Sequence, residues 1–365
     1  MRTIRFIFII VAMAILSSCG SEMISTEEPV NVEISSDMQL MFLDREKPIT
    51  AEEEKITITV SSDGKDVTSD AVVYYAYGNS VDIEKASRLK DRHFVGDVAG
   101  IWTLVAVYKG SQSEPLQIQV IDPREYNSVY QRHIAAFEFT GAWCSWCPKG
   151  LTVMNNVIDY DESYKDLVHM MAFHSDSGGQ DALAIDQTDV IYDRFRLGEY
   201  PSFVTDMRDS GGLSDGYDFL ESIQNSFNLF PAHCGVAVSS SCNGGKADIK
   251  VKITSELALP YRIAVFLVED GVQYYQKGVA NSETYVHFHV VRKVVSSSWS
   301  GDKVGTAELT PGQEYIKEYN GVSLDSSWNL SNVSVYVLAM DYASRVNNMN
   351  ICAVDGGESA YMMIN

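Results

Sequence analysis

Two cysteines two residues apart, set between a strand-like and a helix-like stretch, constrain this chain more than any other feature. The stretch is "GAWCSWCPKG", Gly141 to Gly150, with an aromatic before each cysteine and a proline after the second. "HIAAFEFT" precedes it as a strand candidate, and Leu151, Met154, Val157 and Ile158 follow at helical spacing. Cys144 thus follows a strand and precedes a helix, near unpaired backbone N–H groups and the positive end of the helix dipole. Both favour thiolate over thiol, and in such motifs the first cysteine's pKa falls to about 3.5–7.5 from about 8.5. Cys147 lies one turn further on, within reach to close a disulfide. Pro148 is tolerated in the first turn, where N–H groups lack intrahelical partners. A redox couple, half of a metal site and a static disulfide are the three readings. Zinc needs about four ligands; no second CxxC exists and no histidine lies within the same turn. Metal is therefore the weakest of the three, and no metal or dissociable cofactor is required.

Compartment bears on the choice. The chain begins "MRTIRFIFIIVAMAILSSCG", with Arg2 and Arg5 ahead of an 11-residue apolar run, Phe6 to Leu16. A membrane span needs about 20 residues, so residues 1–18 read as a signal peptide. Leu16-Ser17-Ser18-Cys19 resembles the lipobox of bacterial lipoproteins. That resemblance implies acylation of Cys19 and durable anchoring at a bilayer surface. Export puts Cys144, Cys147, Cys234, Cys242 and Cys352 where disulfides can form. Five is odd, so at least one thiol is free or pairs transiently. An uninterrupted strand would hold Cys234 and Cys242 about 26 Å apart, beyond disulfide reach; Cys352 is a candidate partner for one of them.

Without Arg2 and Arg5 the 28 basic residues become 26 against 49 acidic, a net charge of −23. Such a surface repels phosphate backbones and anionic headgroups, which argues against nucleic acid as a partner. Solubility is the ordinary role of this charge.

Pattern divides the chain into segments. Residues 19–30 are polar and read as a tether. Residues 31–122 hold short strand candidates, "NVEIS", "KITITV", "AVVYYAY", "WTLVAVYKG" and "LQIQVID", separated by turn chemistry. Residues 123–232 alternate strand and helix. After "HIAAFEFT" come "LVHMMAFH", a strand buried on both faces, and "TDVIYDRFRLG", a helix with Thr188 or Asp189 as cap and Gly198 as stop. "PSFVTDM" and "SDGYDFLESIQNSFNLF" follow as strand and helix. That order needs a layered α/β sheet. Residues 233–365 return to strands, among them "CGVAVSSSC", "KADIKVKIT", "RIAVFLVED", "TYVHFHVVRKVV", "VSVYVLAMD" and "NICAVDG". A C-terminal antiparallel β-sandwich is the expectation.

Three resemblances refine this multi-domain reading. "AGIWTLVAVYKGSQSEPLQIQVID" resembles the last two strands of bacterial immunoglobulin-like domains, which implies an N-terminal β-sandwich with Trp102 in its core. Strand–W-C-x-x-C–helix resembles the thioredoxin superfamily over about Arg132 to Phe230. It implies a cis-proline opposite the cysteines, here Pro201 of "EYPSFVTD", and a buried acid six residues before the first cysteine, here Glu138. A carboxylate there takes the proton of Cys147, and burial raises its pKa to suit. Ser145-Trp146 replaces the Gly-Pro of thioredoxins, and Tyr200 is bulky where a small or β-branched residue is common. The hairpin after Pro201 looks short. Signal, motif, "YPSFVTD" and the trailing β-region with "TYVHFHVVRKVV" resemble the Omp28-related outer-membrane lipoproteins of Bacteroidetes. The resemblance implies a lipoprotein of the outer membrane, on its periplasmic or surface face.

On these grounds the chain is expected to be a thiol–disulfide oxidoreductase or redox-assisted folding factor. Cys144 attacks, Cys147 resolves and Glu138 handles the proton; Trp143, Trp146, Tyr200 and Pro201 meet the substrate. Its partners are disulfide-bearing envelope or extracellular proteins, a redox partner that resets the cysteines, and the membrane through lipid on Cys19. The alternative is a surface binding or adhesion lipoprotein with a structural disulfide; a subunit of an uptake or envelope assembly ranks third. Taken singly, Glu138 also reads as a salt-bridged strand residue. His287 and His289 read as one partly exposed strand face, with Val286, Phe288 and Val290 opposite. His174, at a strand end near the cysteines, either tunes the thiols or simply packs.

Overall fold

The computed structural model describes residues 29–43, 55–306, 308–341 and 343–364. Residues 1–28, on which the expected signal peptide, Cys19 and most of the expected tether fall, lie outside the described residues. Among the described residues no helix is long and apolar enough to cross a membrane.

The N-terminal segment is all strand. Val32–Ser36, Ile56–Ser62, Val72–Tyr77, Gly100–Tyr108 and Leu116–Ile121 occupy the five expected runs and divide between two sheets. Ile56, Ile58 and Val60 are buried at every second position, the period of a strand with one face inward. Trp102 is buried beside Phe94 and Tyr75, and its indole N–H donates to the carbonyl of Val98 at 2.9 Å. Leu40–Phe42, too short to show a period, adds a parallel strand to Leu116–Ile121.

The central segment carries α1 (Cys147–Ile158), α2 (Glu162–Leu167), α3 (Gln187–Arg194) and α4 (Tyr217–Leu229). The Ile134–Thr140 strand lies between Val168–His174, parallel, and Ser202–Thr205, antiparallel. Asp209–Gly212 completes a short hairpin at the edge. Ile134–Thr140 is buried throughout because helices cover both faces. Ile134 and Ala136 pack with Met154 of α1 and Phe219 and Ile223 of α4. Ala135, Phe137 and Phe139 pack on the other side with Ile191 of α3. Glu138 continues the α1 side by alternation. The expected cap of α3 is corrected: Thr188 is buried and Asp189 accepts from the Ser175 hydroxyl, so the helix starts after Asp186. It ends at Phe195, before Gly198, where Arg196 adopts φ 50°.

The sheet runs on past residue 233. Val168–His174 meets Val290–Val294 in parallel through one register pair, Ala172 with Val290, and the Ala172 N–H donates to the His289 carbonyl at 2.6 Å. Arg262–Glu269, Val333–Met340 and Val346–Ala353 extend it antiparallel. A second sheet of Tyr315–Ser323, Lys246–Ser255, Cys234–Asn243 and Glu358–Ser359 lies against it. Val236, Val238, Ile249 and Val251 meet Ile263, Val265 and Leu267 in that core. On the opposite face Phe266 packs with Phe173. Within "RIAVFLVE" the run Ile263–Val268 is continuously apolar because it is buried on both faces.

Two expectations are corrected here. "TYVHFHVVRKVV" is two strands, Val286–His287 and Val290–Val294, broken where His289 takes φ 58°. His287 and His289 therefore share no strand face: His287 is buried, while Val286 and Phe288 are exposed. Cys234–Asn243 is one uninterrupted strand, and Cys234, Cys242 and Cys352 are all free. The partnership considered for Cys352 is not formed.

Candidate functional site

Cys144 and Cys147 form a disulfide with Cα atoms 5.5 Å apart. Trp146 occupies the N-cap position of α1 without a side-chain capping bond, and Pro148 lies in the first turn. Cys144 is 5% exposed and Cys147 1%. The pair stands at the helix tip, but the sulfur of Cys144 is largely covered rather than open.

Three elements pack on the motif loop, and the first also meets the sulfur of Cys144. The first is the Tyr200–Pro201 peptide, which is cis. The Tyr200 carbonyl oxygen lies 3.7 Å from the sulfur of Cys144. A Cβ at Gly150 would stand 2.5 Å from Cγ of Pro201, so α1 rests on the proline at a distance only glycine permits. Trp143 is a packing residue beside it. Its indole N–H donates to the Ser175 carbonyl at 2.7 Å, its ring meets Tyr200 edge-on at 5.2 Å, and Tyr200 stacks on Tyr192 at 4.6 Å. Trp146 is 67% exposed. With Lys149, Glu199, Tyr200, Pro201 and Leu213 it lines an open groove of about 310 Å³.

The second is the loop after the Val168–His174 strand. Asp181 accepts from the Ala142 N–H at 2.7 Å and pairs with Nδ1 of His174 at 2.7 Å. Burial pushes its carboxyl up, but the hydrogen bonds from His174, Ala142 and Leu183 outweigh that and hold it below the usual range. His174 therefore positions an acid that grips the motif loop.

The third element comes from the C-terminal third. Nε2 of Gln276 donates to the Cys144 carbonyl at 2.8 Å, and the Lys277 N–H donates to the Ala142 carbonyl at 2.8 Å. A Cβ at Gly278 would stand 2.5 Å from the Ser145 carbonyl oxygen.

Beneath the disulfide lies Glu138. It is 2% exposed, and its Oε1 has no hydrogen-bond partner among the described residues. Desolvation alone pushes its pKa up to about 8. The salt-bridged reading of Glu138 is therefore not what its surroundings provide. Glu138, Cys147, Tyr285 and His287 line one small cavity of about 10 Å³, the space of about one water. His287, whose Nε2 is also unpaired, has its pKa lowered to about 4 by burial first and then by His174.

The structure thus brings Glu138, Cys144, Cys147, Trp143, Tyr200 and Pro201 together, with Trp146 at the rim. Sequence reading missed Asp181, Gln276, Lys277, Gly278 and the role of Gly150. Gln276, Lys277 and Gly278 carry no motif and lie more than 125 positions away; Gly150 stands in "PKG", but only its contact with Pro201 explains it.

What fold and site define is a β-rich protein of several sheets, with a disulfide of CxxC spacing between a buried strand and a helix. The family model described as Outer membrane protein Omp28 matches residues 221–357. That span runs from α4 through most of the two C-terminal sheets and leaves out the cysteine motif. Among solved structures the chain is similar to HBP35 of Porphyromonas gingivalis, at 16% identity, over 64% of this chain and 76% of that one, with a TM-score of 0.48. Domains 4–9 of the surface layer protein SbsC align at 12% identity over 90% of this chain and 51% of that one, with a TM-score of 0.17. No curated protein matches the chain.

Proposed function

We propose that this is a lipoprotein of the outer membrane, anchored through Cys19, whose central unit is thioredoxin-like and exchanges disulfides with envelope proteins. The observation that carries the reading is Glu138, a buried carboxyl beside Cys147 whose Oε1 has no partner among the described residues, in a site where cis-Pro201 lies across from the pair. A carboxyl titrating near 8 trades protons with a thiol near neutral pH at little cost. In the reduced protein the Cys144 thiolate attacks a substrate disulfide, forming a mixed disulfide and releasing one substrate thiolate. Cys147 then gives its proton to Glu138 and attacks Cys144; the second substrate sulfur leaves with the electron pair. Substrate gains two electrons, the motif loses two, and a redox partner resets it. The Trp146–Pro201 groove meets the substrate chain, with Trp143 holding Tyr200 in place. The immunoglobulin-like N-terminal unit spaces this site from the membrane. The Omp28 match and the lipobox support the location.

The second reading, a binding lipoprotein with a static disulfide, is favoured by the low exposure of both cysteines. Equilibration across thiol buffers with differential alkylation separates the two. Exchange predicts reversible reduction of the folded protein and loss of disulfide reductase activity in Cys144→Ala. A pair that resists reduction until the chain unfolds defeats it.

A further inference from the structure

Gln276, Lys277 and Gly278 are the tip of a two-stranded ribbon, Val272–Gln273 with Val286–His287, that belongs to neither main sheet. A two-stranded ribbon is marginally stable alone in water. This one is tied down by what it touches at its tip. Gln276, 2% exposed, bonds the Cys144 carbonyl at 2.8 Å and lies 3.4 Å from that of Gly141. Lys277 bonds the Ala142 carbonyl through its backbone N–H at 2.8 Å, and Tyr274 accepts from the Ala182 N–H through its hydroxyl at 3.2 Å. Gly278, at φ 89°, lies against Ser145 with no room for a Cβ.

We propose that this ribbon tip is a strap that positions the Gly141–Ser145 loop and must swing away before Cys144 can exchange. Its meaning rests on reading the pair as an exchanging couple; its existence does not. With the strap open, a thiolate attacks Cys144. A new S–S bond forms to the attacker, the Cys144–Cys147 bond breaks, and Cys147 takes the electron pair and then a proton from Glu138. Gln276 acts through the backbone of Cys144 and is a positioning residue.

The test uses the full oxidised chain, reduced by dithiothreitol and followed by alkylation and mass measurement. In wild type, reduction should be slower than in the urea-unfolded chain by the protection factor of the Lys277 amide in hydrogen exchange. Gln276→Ala should speed reduction about fivefold, the effect of one neutral hydrogen bond. Gly278→Ala should act in the same direction. Reduction of wild type faster than Lys277 opening allows would overturn the strap. So would wild-type rates in both variants at unchanged unfolding midpoints. If a variant fails to fold, the wild-type comparison decides alone. A wild-type chain that is reduced within the limit set by Lys277 opening yet reduces no peptide disulfide leaves the strap standing and sinks the oxidoreductase reading.

Discussion

Gly150 and Pro201 touch: a Cβ on the first would fall 2.5 Å from Cγ of the second. Glycine inside a helix normally costs about 1 kcal/mol relative to alanine. At this position the sign reverses. Gly150→Ala should lose about 1–3 kcal/mol through overpacking, read as a lower urea midpoint with unchanged m. A stabilised variant would show that α1 does not rest on the proline.

Glu138 gives a signed pH dependence. Its folded pKa of about 8 lies above the ordinary value of 4.5, so the folded state holds the proton longer. Its contribution is full below about pH 4.5 and is lost as pH rises toward 8. Wild type should lose stability relative to Glu138→Gln across that window, by up to about 1.4 kcal/mol per pH unit. Parallel curves for the two proteins would place the carboxyl in contact with water.

Two histidines, His133 buried and His169 half-buried, act in the opposite sense. His133 and His169 stack with ring nitrogens 2.8 Å apart. Burial first, then Arg132, lowers His133 to about 4, and burial first, then His133, lowers His169 to about 3. Their folded pKa values lie below the unfolded value of 6.5, so their contribution is present above that pH and lost as pH falls toward 4. His169→Gln should flatten the fall in thermal midpoint between pH 7 and pH 5 by several degrees in a chain this size.

Asn348 ties the central sheet to the C-terminal one. Its Oδ1 accepts from the His133 N–H at 3.0 Å, and its Nδ2 donates to the carbonyls of Cys234 and Gln131 at 2.9 and 3.1 Å. Asn348→Leu leaves buried backbone groups unpaired and should cost about 2–4 kcal/mol, measured by denaturant unfolding. Trp146→Ala, at an exposed rim, should change stability by no more than about 0.5 kcal/mol while slowing reaction with peptide disulfides.

Much was legible in the sequence. Alternation set the N-terminal strands, continuous apolar runs marked strands buried on both faces, and the CxxC fell between strand and helix. Chemistry carried by neighbours in sequence is readable because short-range geometry dictates it. The environment of Glu138 is different: a carboxyl on a strand is ordinary until packing buries it and leaves Oε1 without a partner among the described residues. Two faces of "TYVHFHVVRKVV" were misassigned because one positive φ at His289 breaks the alternation, and no side-chain pattern records it. Tertiary structure alone decided that the central sheet continues through Ala172 and Val290 into the C-terminal layers. It alone brought Gln276 onto Cys144, 132 residues away. Hydrophobic period fixes which face a strand buries, but which strand lies next to it is settled by long-range packing between segments the sequence keeps apart.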